Sequence, residues 1–252
     1  MTAVPAAPEA DVRELERRAA AFGLFALGLS SAPERLAEPG VFAALWKAVE
    51  ALADHDVLAE LAHVEPALST GRLDRAALDR IFALGRVAPY EASCSPASIG
   101  GHTAKLADVS GFYRAFGFHV TGERPDHVTA ELEFTCWLLA AEAAARRAGD
   151  NDRAEVCDEA RSAFVRDHLG GWLDELADQI AAREPTSPVG RLVRAAARFV
   201  EAEASRQGVE IVAVPVVRPW DDVDGPTPGN AIPDGSGDVG GDELPRCPGC
   251  DH

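Results

Sequence analysis

Basic residues are scarce in this chain: 24 Lys and Arg stand against 41 Asp and Glu, a formal net charge of -17. That balance argues against a nucleic-acid binder, which needs an excess of cationic surface to neutralise phosphates, and it suits a basic peptide better. Long hydrophobic runs are missing too. No apolar stretch approaches the ~20 residues a membrane-spanning helix requires, so insertion into a bilayer is not expected. Tyrosine occurs only 2 times and β-branched residues cluster only over 209–217, which leaves little material for strands. The cysteines Cys94, Cys136, Cys157, Cys247 and Cys250 are odd in number and widely spaced except for the last two. This is not a disulfide framework, and it points to a reducing cytoplasm. Also absent are a GxxxxGK[ST] loop, a GxGxxG turn after a strand, a GxSxG elbow and an HExxH pair. Nucleotide hydrolysis and serine or zinc hydrolase chemistry therefore have no visible residues.

What is present is alanine, leucine and helical periodicity. Apolar residues at helical spacing predict helices over 9–29, 41–52, 57–63, 73–84, 103–116, 126–148, 152–182 with a break at Gly170-Gly171, and 189–205. The expected fold class is all-α, a single-domain bundle of about eight or nine helices. Residues 1–8 read as a flexible N-terminus, 9–205 as the bundle and 206–220 as an extended segment. Residues 221–252, rich in Pro, Gly and Asp, read as a disordered acidic tail that cannot offset its ordering entropy.

Near the start, Arg17-Arg18 precedes an apolar stretch ending in Ser30-Ser31-Ala32, which looks like a twin-arginine export signal. Glu9, Asp11, Glu14 and Glu16 contradict the positive leading region such a signal needs. Leu15, Phe22, Phe25 and Leu29 fit an amphipathic helix instead, stopped by Pro33.

The richest stretch is 122–134, GERPDHVTAELEF, which packs a turn, a helix start and several ionisable groups together. Pro125 disfavours a preceding helical turn and Asp126 is expected to cap the helix that follows. His127 and Glu131, four apart, then share a face. They invite two readings: residues of a helix wall, or a metal or acid/base site joined by Glu60 and His63, whose ExxH spacing occurs in carboxylate-bridged metal bundles. Such a bundle needs two ExxH units and two more glutamates, and one unit is present. In the tail, Cys247, Cys250 and His252 offer a weak zinc-like set, because a single CxxC lacks the four ligands a structural site wants.

With these residues in view, the chain resembles the TorD/DmsD/NarJ family of redox-enzyme maturation chaperones over roughly residues 10–205. The resemblance rests on Pro125-Asp126-His127 with Glu131-Leu132-Glu133-Phe134 and on Phe82 followed by Pro89-Tyr90-Glu91. It rests equally on Phe112-Tyr113-x-x-Phe116-Gly117 and on Phe164 with His168-Leu169-x-x-Trp172. It implies an all-helical, non-catalytic, cytoplasmic chaperone without a cofactor. The expected partner is the apo catalytic subunit of a DMSO-reductase-type molybdenum enzyme, including its N-terminal twin-arginine signal peptide, with no nucleic acid and no membrane insertion. The chaperone itself is expected as monomer or homodimer. The resemblance further implies a client-peptide site drawn from Asp126, His127, Glu131, Tyr90, Glu91, Tyr113, His168 and Trp172. The CPGC tail departs from the family pattern.

Overall fold

The computed structural model defines residues 9–84, 87–94 and 101–211, all within one unit, Met1–Val217. Cys247, Cys250 and His252 and the whole expected tail lie outside the described residues. Among the described residues the fold is all-α, built from α1 (Glu9–Gly28), α2 (Val41–Ala51), α3 (His55–Ser69), α4 (Arg75–Asp79), α5 (Glu91–Cys94), α6 (Gly101–Ala115), α7 (Val128–Ala148), α8 (Asn151–Asp167), α9 (Leu173–Arg183) and α10 (Pro188–Gln207). Short 3-10 turns at Pro33–Ala37 and Leu169–Gly171 and a π-helical turn at Arg80–Leu84 link them. No described helix is long and apolar enough to cross a membrane.

Local chemistry sets the boundaries. Asp74, Asp150 and Ser187 each accept a first-turn amide of the helix that follows them, and Pro188 takes a first-turn position where its missing N–H costs nothing. Gly149 ends α7 at φ 73, a left-handed conformation open to glycine without a Cβ penalty. Gly170 marks the predicted break between α8 and α9, where a Cβ would meet the Val165 carbonyl oxygen at 2.6 Å. Two expectations are corrected here. The helix placed at 57–63 is longer, running through Pro66 to Ser69. That placed at 73–84 is α4 followed by the π turn.

α1 and α7 pack along one another at the centre, flanked by α8 and α10, with α3 and α9 against α10. Phe22 and Phe25 of α1 meet Phe199 of α10 at ring distances of 4.9 and 5.6 Å. The twin-arginine-like stretch is thus a core helix. Arg18 itself is buried, its guanidinium paired with the fully buried Glu203, which also accepts Arg161 Nη1 at 2.7 Å. Arg161 Nη2 reaches Glu142 at 2.9 Å, so one ionic network joins α1, α7, α8 and α10.

Candidate functional site

The site lies at the end of the α1–α7 pair where α7 begins. Two segments distant in sequence meet there as an isolated antiparallel bridge, Tyr90 against His127. Glu91 N donates to Asp126 O at 2.9 Å and Val128 N to Pro89 O at 3.0 Å. These bonds satisfy backbone groups that a loop packed under the helix start would otherwise bury unpaired.

His127, not Asp126, caps α7. Its Nδ1 accepts Thr129 N at 3.2 Å, so the ring is neutral with its proton on Nε2. Burial lowers the His127 pKa, against opposing pulls from Glu123 and Asp126, and that agrees with the cap. The expected cap at Asp126 is overturned by the local geometry. Asp126 is fully buried and its carboxylate faces the other segment, accepting Ala92 N at 3.2 Å and a two-pronged contact from Arg124 at 3.0 and 2.8 Å. The Arg124 guanidinium also lies 4.2 Å above the Tyr90 ring, whose hydroxyl donates to Glu123 Oε1 at 3.1 Å.

Beneath this layer is a second, buried one. Glu131 is fully buried. Its Oε2 accepts Trp172 Nε1 at 3.0 Å, while Oε1 has no hydrogen-bond partner among the described residues. Burial first, and then the charge of Glu91, push its pKa well above the usual carboxylate range, so Glu131 carries a proton where surface carboxylates do not. Glu91, also buried, lies 3.1 Å from His168 Nδ1 and 2.9 Å from Lys105 Nζ. Tyr113 donates its hydroxyl to Pro125 O at 2.9 Å, and burial raises its pKa. Of the eight expected residues, Tyr90 and His127 are therefore half-buried, while Asp126, Glu131, Glu91, Tyr113, His168 and Trp172 form the packed support behind them.

Tyr90 and His127 border a groove of about 280 Å³. Its floor is Leu29, Leu78, Phe82 and Pro89, and its rim carries Asp79, Glu123 and Arg75. Periodicity could not reveal the part played by Leu29 to Ser31, just past α1, because they reach the groove through tertiary contacts such as Thr129 Oγ1 donating to Leu29 O at 3.2 Å. Arg124, Glu123 and Lys105 were likewise missed as site residues. The sole hint was the density of charge around Pro125.

The four residues of the metal-site reading are not assembled. Glu60 pairs with Arg191 at 3.3 Å, and Glu131 bonds Trp172. Among the described residues no group of three or more His, Cys, Asp and Glu is arranged to hold a metal ion.

Comparison with known proteins places this region within shared sequence. Residues 82–178, which include every residue of the expected site, match the family described as nitrate reductase delta subunit. The chain is 33% identical over 136 residues to the chlorate reductase assembly chaperone protein of Ideonella dechloratans, covering 51% of this chain and 68% of that protein. It is 32% identical over 157 residues to the selenate reductase assembly chaperone protein of Thauera selenatis, covering 60% and 78% respectively. No solved structure matches it.

Proposed function

Because the chain belongs to the TorD/DmsD/NarJ family of redox-enzyme maturation chaperones, we propose that it is an assembly chaperone for the catalytic subunit of a molybdenum-dependent reductase or oxidase. It holds the apo subunit in the cytoplasm until the cofactor is in place. The role is non-catalytic, and the binding element is the groove beside Tyr90 and His127, which takes an N-terminal segment of the client such as its signal peptide.

The observation that carries this reading is the apolar floor of that groove, Leu29, Leu78, Phe82 and Pro89, beneath a charged rim on which Asp79 is paired with Arg75 at 2.8 Å and Glu123 stands beside Tyr90. Such a surface suits a short amphipathic segment whose apolar side chains enter the groove while basic ones meet the rim. A net charge of -17 steers a basic segment toward it. The six buried site residues act indirectly, holding the bridge and the start of α7 in register.

Co-purification tests the proposal. Tagged protein purified from its own host, with bound proteins identified by mass spectrometry, is expected to retain the catalytic subunit of a molybdenum enzyme. A Phe82→Asp variant, changed on the groove floor at a half-buried position, is expected to lose it while remaining folded. Retention of the subunit by that variant would remove the groove from the function.

A further inference from the structure

Arg124 stands out among the residues of this end of the molecule, because its side chain is 42% exposed yet its guanidinium fills a built slot. Two nitrogens meet the two oxygens of fully buried Asp126 at 3.0 and 2.8 Å, and the planar head lies 4.2 Å from the Tyr90 ring centroid. A carboxylate fork beside an aromatic face discriminates for a guanidinium over an ammonium, since an ammonium offers neither the parallel pair of N–H bonds nor the flat face.

The slot does not depend on the Arg124 side chain alone for its shape. Asp126 is oriented by Ala92 N, which donates to Oδ2 at 3.2 Å, and by backbone bonds on both sides of the bridge. Tyr90 is oriented by its hydroxyl bond to Glu123 and by its edge contact with His127, 5.4 Å between ring centres. Three of these walls, Tyr90, Glu123 and His127, also line the groove, so slot and groove are contiguous.

We propose that the Tyr90–Asp126 slot receives an arginine side chain of the bound partner, and that Arg124 occupies it in the free protein as an internal stand-in which the partner displaces. This rests on the groove being the partner's binding site, as proposed above. Arg124 leaves by rotating its own side chain toward solvent, without movement of the bridge. An internal occupant lowers apparent affinity by the fraction of molecules in which the slot is open, so a slot open in about one molecule in ten makes removal of Arg124 worth roughly a tenfold gain in binding.

Two measurements on the full chain test this. In the first, Arg124→Ala is melted in millimolar ethylguanidinium or ethylammonium at equal ionic strength. The variant is expected to melt below wild type and to recover in ethylguanidinium only, whereas an equal response to both ions overturns the slot. In the second, the probe is a fluorescein-labelled peptide of two arginines followed by leucines and alanines, with a control carrying citrulline in place of both arginines. Arg124→Ala is expected to bind the arginine peptide about tenfold more tightly than wild type does and the citrulline peptide no more tightly. Equal or weaker binding of the arginine peptide by the variant overturns the displacement. Rescue by ethylguanidinium with no peptide binding by either form counts against the groove as the binding site and leaves the slot standing.

Discussion

Replacing Glu131 by Gln isolates the effect of one buried proton. The carboxamide keeps an oxygen for Trp172 Nε1, now bonded at 3.0 Å, at nearly unchanged volume, and removes the titration. In the folded protein the Glu131 pKa is raised, chiefly by burial and next by Glu91, whereas in the unfolded chain it falls near the ordinary value of about 4.3. Below that value both states hold the proton and wild type and variant run parallel. Above it the unfolded chain loses the proton while the folded protein keeps it, so wild-type stability falls as pH rises toward the folded-state pKa. The slope for one proton is about 1.4 kcal/mol per pH unit. From about pH 4.5 upward the variant should therefore gain on wild type at up to that slope, until the folded protein loses the proton as well. Urea melts followed by far-UV circular dichroism at several pH values provide the assay, and contributions of groups that do not interact with Glu131 cancel in the difference. A wild-type-to-variant gap that stays flat with pH, or that moves in favour of wild type as pH rises, would refute a protonated Glu131.

Other perturbations have equally direct readouts. Glu203→Ala strips the shared carboxylate from buried Arg18 and Arg161 and should cost about 3–5 kcal/mol in urea unfolding; a loss below about 1 kcal/mol would mean that solvent reaches the network. His127→Ala should cost about 1 kcal/mol by removing the α7 cap, and His127→Asn should restore most of it. The His127 pKa is lowered, so the stability its neutral form supplies should fade as pH drops below the unfolded value of about 6.5, and the Asn variant should show no such fade in melts from pH 7.5 to 5.5. Trp172→Phe takes the donor from the Glu131 carboxyl and leaves a void where the fully buried indole was, and should lower Tm by several degrees; an unchanged Tm would show that the void closes and Glu131 finds another partner.

The helices were legible where apolar spacing and terminators agreed, as for α1 before Pro33, α7 up to Gly149, and the α8–α9 break at Gly170. Pro66 illustrates a local rule overridden by tertiary packing. Val64, Ala67 and Leu68 are buried in the core, and that burial carries α3 past a residue that cannot donate its own helical hydrogen bond. The motifs around Tyr90, Asp126 and His168 were legible as a set, and they do converge in space. Their division of labour was not. Whether Asp126 caps a helix or latches a loop depends on where residues 89–92 lie, a contact across more than thirty residues that no periodicity encodes. The same contact puts Arg124 over Tyr90, and nothing within 122–134 announces it.

The short bridge between Pro89–Glu91 and Asp126–Val128 bears on how the groove discriminates. The wall that carries Pro89, Tyr90 and His127 is fastened by backbone bonds at 2.9 and 3.0 Å and cannot come apart to suit an incoming chain without breaking them. The ordering entropy of this wall is therefore spent during folding, and an occupant meets one side already in place. Fit then depends on side-chain size more than on chain flexibility. Among segments of equal charge, those whose apolar residues pack against this wall as it stands should have the longest residence.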